Sequence, residues 1–157
     1  MADKGITTSI VALIAGLGAC AVTLFVAEGL SLWLASPPDN LDISDRAALA
    51  DYVDGVGLGP QLLLVLGWGL GSLFGAKIAF RISHGLDWTS WVVALGMIGM
   101  IMPALLAYEH PDWMFAAATL LPLAGAFIVT RYWRKRIDIR GDGASEAAAR
   151  EESASAG

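Results

Sequence analysis

Residues 6–27, ITTSIVALIAGLGACAVTLFVA, run from Ile6 to Ala27 without a single charged side chain. A helix rises 1.5 Å per residue, so this stretch covers about 33 Å, close to the hydrocarbon thickness of a bilayer. Three more uncharged runs follow: Gly55–Ala76, Trp88–Tyr108 and Trp113–Thr130. Each falls in the range of about 17–25 residues that a spanning helix needs. In hydrocarbon every backbone N–H and C=O must bond within its own segment, which makes these runs helices. The alternating polar and apolar pattern of a barrel strand is absent.

Composition agrees with this reading. The 157 residues are 56% hydrophobic and 16% charged, against about 45–50% and 25% in soluble domains. The expected fold is an all-α membrane protein with four transmembrane helices in an antiparallel bundle. They fall at about 6–35, 56–82, 88–108 and 112–134, within one domain of residues 1–136. A first external loop, 36–55, holds a short amphipathic helix. Residues 137–157 are low in complexity and read as a disordered cytoplasmic tail.

Charge orients the chain. The loop between the first two runs holds Asp39, Asp42, Asp45, Asp51 and Asp54 against one base, Arg46, and the third connection holds Glu109, His110 and Asp112. The other nine bases are Lys4, Lys77, Arg81, Arg131, Arg134, Lys135, Arg136, Arg140 and Arg150, all on the opposite side. The positive-inside bias then predicts both termini in the cytoplasm, with the chain in the cell's inner membrane. Trp33, Trp88, Trp91, Trp113 and Trp133 fall at the expected helix ends, where indoles favour the headgroup level. Trp68 does not.

The first loop shows its own organisation. Pro37 and Pro38 cannot donate backbone hydrogen bonds and stop the first helix. Ser44 is placed to cap a short helix from Asp45 to about Val53. Leu17-Gly18-Ala19-Cys20 resembles a lipoprotein cleavage box, yet the apolar run continues through Val26, so Cys20 reads as a small packing residue and the segment as a retained span. Pro103 and Pro122 lie inside the third and fourth runs and predict kinks.

The candidate site residues divide into three groups. Gly67, Gly71 and Gly75 form a small-residue ladder, matched by Ala12, Gly16 and Cys20 in the first run; such faces let helix backbones approach closely in lipid. Their expected role is internal packing, with an oligomer or partner-protein interface as the other reading. Glu28 lies about 12 Å inside the end of the first helix, and a carboxyl at that depth marks a functional site by default. With no second buried ionisable group to form a relay, the favoured reading is a structural polar staple that holds the bundle together. Trp68 falls at a similar depth on the second helix, and its indole N–H suits a carboxylate acceptor, so a Glu28–Trp68 contact is expected. Thr23 and Gln61 are polar neighbours. Lys77, Arg81, Arg134, Lys135 and Arg136 are expected to reach lipid headgroups. His84 and His110 lie on opposite faces and read as loop histidines.

Several of these residues also form an ordered set. Glu28, Pro37-Pro38, Leu41-Asp42, Asp45, the stretch from Ala47 to Val53, Gly67-Trp68-Gly69-Leu70-Gly71 and His110-Pro111-Asp112-Trp113 together resemble an uncharacterised family of small four-helix bacterial membrane proteins. The resemblance covers about residues 6–132 and implies a bacterial origin and this topology. A second likeness, to small multidrug exporters with an acidic residue in their first helix, departs in two ways. The charge bias here fixes one orientation, and the acidic loop is long.

The functional expectation is a non-catalytic multi-pass membrane protein, an accessory, assembly or interaction subunit acting through helix packing. The alternative is a small proton-coupled transporter or channel using Glu28. No catalytic residues, metal or cofactor are expected. The expected partners are the lipid bilayer and a homo-oligomer or another membrane protein, with no nucleic acid.

Overall fold

The computed structural model describes residues 2–36, 38, 42, 44–107 and 110–155, and side chains for those other than 2–4, 46, 49–50, 53–54 and 134–155. Pro37, Asp39, Asn40, Leu41 and Glu109 therefore lie outside the described residues, as do the side chains of Arg134, Lys135 and Arg136. In chain order the helices are α1 (Ala2–Ala35), α2 (Arg46–Gly55), α3 (Leu58–Ile82), α4 (Asp87–Ala107) and α5 (Asp112–Ser155). Four contain spans long and apolar enough to cross a membrane: Gly5–Ala35, Leu58–Ile82, Asp87–Ala107 and Asp112–Trp133. The chain is an all-helical, multi-pass membrane protein.

The α5 backbone is helical to Ser155. The alanines of this stretch favour helix. At the start of α2 the cap is Asp45, not Ser44. The Asp45 carboxylate accepts from the Ala47 and Ala48 N–H groups at 2.9 and 3.3 Å. The Ser44 hydroxyl turns back to donate to Asp42 at 2.6 Å. Since the helix starts at Arg46, Asp45 occupies the position from which a side chain reaches the second and third N–H groups.

That Asp42 carboxylate is held below the ordinary carboxylate range, first by the Ser44 hydroxyl and then by the Ser44 backbone N–H. Its folded value being depressed, the contribution is complete above the unfolded value of about 3.9 and fades as pH falls through the folded one. Faster amide exchange at Ser44 below about pH 4, removed in Asp42→Asn, is the expected result.

α3 is the centre of the bundle. Of its apolar window 44% is buried, twice the 22% of α1, and it touches α1, α4 and α5. In lipid, hydrophobicity does not hold helices together, so close packing and polar bonds must. Both kinds converge on α3. Cys20 donates to the Gly71 carbonyl at 3.3 Å and Ser31 to the Pro60 carbonyl at 3.0 Å, tying α1 to α3. Ser72 donates to the Pro122 carbonyl of α5 at 2.8 Å, and Ser90 of α4 to the Ala76 carbonyl at 3.3 Å. Each such bond in a membrane is worth about 0.6 kcal/mol on average.

The turn between α3 and α4 closes the helix by two backbone bonds, Gly85 N–H to the Phe80 carbonyl at 2.9 Å and His84 N–H to the Arg81 carbonyl at 3.2 Å. This is a Schellman cap, and it places His84 in the left-handed region at φ 57°, where glycine is usual. His84→Gly is expected to raise stability by about 1 kcal/mol and His84→Val to lower it, read from unfolding in mixed micelles.

Candidate functional site

The small-residue ladders meet face to face. A Cβ at Gly16 would lie 2.8 Å from the Gly75 carbonyl oxygen and 2.8 Å from Val93, and one at Gly75 would lie 2.6 Å from the Gly16 oxygen and against the Cys20 sulfur. A Cβ at Gly67 would press on Ala27, and one at Gly71 would sit 3.1 Å from Met97. The residues Gly16, Gly67, Gly71 and Gly75 thus hold α1 against α3 within one chain. Position 16 meets 75, 27 meets 67 and 31 meets 60. Two isolated glycines do the same elsewhere: Gly96 admits Leu17 of α1, and Gly125 lets α5 approach the α3 backbone at Leu73 N, 3.0 Å from its notional Cβ. Sequence reading passes over these two because neither belongs to a repeat.

Glu28 and Trp68 each follow a residue of the Ala27–Gly67 contact, so they stand within about one to two turns of each other along the bundle. They share a cavity of about 50 Å³ with Leu64, Ile101, Leu105 and His110. Trp68 is buried, at 2% exposure, while Glu28 stands exposed at the rim. No hydrogen bond joins the two. The cavity lies about 10 Å from the Ala35 end of α1, at 1.5 Å per residue. His110, in the short segment before α5, is half-buried there. Its part in the site was not legible from sequence, because loop residues carry no periodicity to say which way they face. Thr23 is spent within its own helix, donating to the Ala19 carbonyl at 2.9 Å, and Gln61 donates to the Val56 carbonyl at 3.2 Å.

The opposite end of the bundle is basic. Lys77 Nζ lies 4.4 Å from the centroid of the Trp133 ring, and Arg81 Cζ lies 5.2 Å from it. These cation–π contacts hold the two α3 bases beside Trp133 of α5. Gly5 and Ile6 of α1 lie beside Leu86 and Trp88, so the N-terminal end of α1 shares this end. Ala35, Tyr52 and His110 line one cavity at the other end, to which the segments carrying Asp42, Asp45, Asp51 and Asp112 belong. Trp33, Trp88, Trp91 and Trp113 are all exposed near helix ends, as membrane-interface indoles are.

Fold and charge distribution thus define a multi-pass membrane protein with a basic end and an acidic end. Comparison with protein-family models, curated proteins and solved structures gives no match.

Proposed function

We propose that the chain is a non-catalytic protein of the bacterial inner membrane, an antiparallel four-helix bundle with both termini cytoplasmic, that acts as an accessory or assembly subunit through helix packing. The orientation follows from the basic end carrying Lys77, Arg81 and Arg131, by the positive-inside bias. The observation that carries the subunit role is the outer face of α1. This helix touches α3 and α4 and leaves Ile14, Val22 and Phe25 exposed, at 67%, 65% and 77%. On the same helix Gly18 and Gly29 have nothing within 4 Å of a notional Cβ, which leaves room for another helix to approach. A photo-crosslinker at Val22 in native membranes is expected to give a discrete protein adduct that Gly18→Leu removes. A smear of lipid adducts, unchanged by Gly18→Leu, would refute the role.

The second reading, a proton-coupled carrier, is favoured by the cavity that Glu28 shares with Trp68 and His110. Reconstituted in liposomes, such a carrier loses its pH-dependent flux in Glu28→Gln. The subunit reading expects Glu28→Gln to keep its partner adduct.

A further inference from the structure

Beside the Glu28 cavity, and sharing Leu64 and His110 with it, lies a second chamber of about 140 Å³ beneath α2. Tyr52 of α2 lines it, and the Tyr52 hydroxyl oxygen is buried with no hydrogen-bond partner among the described residues. A buried hydroxyl left unbonded is unfavourable, so native structures almost always supply a protein, water or ligand partner. Two other polar side chains of the lining have partners of their own. Ser31 donates to the Pro60 carbonyl and Gln61 Nε2 to the Val56 carbonyl, which leaves the Tyr52 O–H as an uncommitted donor. Apart from His110, the rest of the lining is apolar: Leu32, Ala35, Val56, Leu64 and Met114. In size the chamber is close to cavities of about 150 Å³ that take up a benzene molecule.

We propose that this chamber is a binding site for an uncharged carbonyl-bearing group, whether a whole small molecule or the ester segment of a lipid, that places its oxygen on the Tyr52 hydroxyl and an apolar body of about one benzene ring against Leu32, Leu64 and Met114. A carbonyl accepts and brings no donor of its own, so it leaves no new group unpaired. Among the described residues no lysine or arginine lines the chamber, so a phosphate or carboxylate would lack a permanently charged partner. Two sources share this chemistry. One is the ester of a membrane lipid, whose carbonyl lies at the level of the helix ends; the other is a free small ketone. The chamber contains neither Glu28 nor any of the α1 residues Ile14, Gly18, Val22 and Phe25, so its test through Tyr52 reads separately from both readings above.

The test uses the full chain in micelles and in lipid nanodiscs, with Tyr52→Phe as the variant, since it removes the oxygen and keeps the ring. In the first arm 4-fluoroacetophenone is titrated and followed by fluorine NMR, with 4-fluoroethylbenzene as the analogue lacking the carbonyl. Saturable ketone binding, weakened about tenfold in Tyr52→Phe while the ethylbenzene is unaffected, supports a free small molecule. In the second arm nanodiscs hold either diacyl or dialkyl-ether phosphatidylglycerol, and native mass spectrometry counts retained lipid. Retention of the diacyl lipid that falls in Tyr52→Phe, with the ether lipid indifferent, supports the lipid ester. If neither arm separates the variant from the parent, the chamber holds water only and the proposal is overturned.

Discussion

Gly75→Val is expected to separate α1 from α3 and to cost about 3 kcal/mol or more of stability, the upper end of what overpacking a filled interior does. The first added carbon already meets the Cys20 sulfur, the Gly16 carbonyl oxygen at 2.6 Å and Val93 at 3.1 Å. Two of these neighbours are hard to move. The Gly16 oxygen belongs to a helix backbone, and Val93 is fully buried. Relief therefore requires the whole of α1 to shift, which also stretches the Cys20–Gly71 and Ser31–Pro60 bonds. Gly18→Val is the control, with the same residue change in a helix span and nothing within 4 Å, and should stay within about 0.5 kcal/mol of the parent. Unfolding in mixed micelles gives both numbers. An unchanged monomer stability in Gly75→Val, with loss of an oligomer instead, would mean that the ladder faces another chain.

Trp68→Ala is the second large effect, at about 3–5 kcal/mol. Transfer out of water contributes little here, because lipid is as apolar as the interior. What is lost is contact: the indole is 2% exposed and packs in the cluster with Val65, Met97, Ile101, Leu105 and Met114. Its removal also extends the existing 50 Å³ space into the centre of the bundle. Trp68→Phe, which keeps a ring, should cost much less. Glu28→Gln should be nearly neutral for stability, because the carboxylate stands at the rim and bonds to no indole. A double-mutant cycle between Glu28→Gln and Trp68→Phe is therefore expected to give a coupling below about 0.5 kcal/mol. A larger coupling would restore a direct carboxylate–indole bond as a tie between α1 and α3.

The contrast between these two residues shows where sequence reading stops. Depth along a helix follows from counting residues at a fixed rise, so the spacing of Glu28 from Ser36 and of Trp68 from Pro60 is enough to put both at one level. Azimuth does not follow. When nearly every residue of a span is apolar, no polar stripe says which side faces neighbours and which faces lipid. Trp68 turns inward and Glu28 outward, and only helix contacts decide that. For the same reason Ser72 and Ser90 look alike in sequence, yet each proves to reach a particular carbonyl on a different helix. Gly75 and Gly18 share composition and surroundings in sequence, and one is jammed against a backbone while the other is open.

From the sequence alone came four spans, their order and the division of charge between the two ends, because each depends on local composition measured against a hydrocarbon slab. The third dimension decided that α3 is the hub, that the glycine ladders close on each other within one chain, and that Tyr52, His110 and Glu28 border adjoining cavities. Those facts depend on which faces meet, and steric fit between helices settles them in a solvent that is apolar on every side.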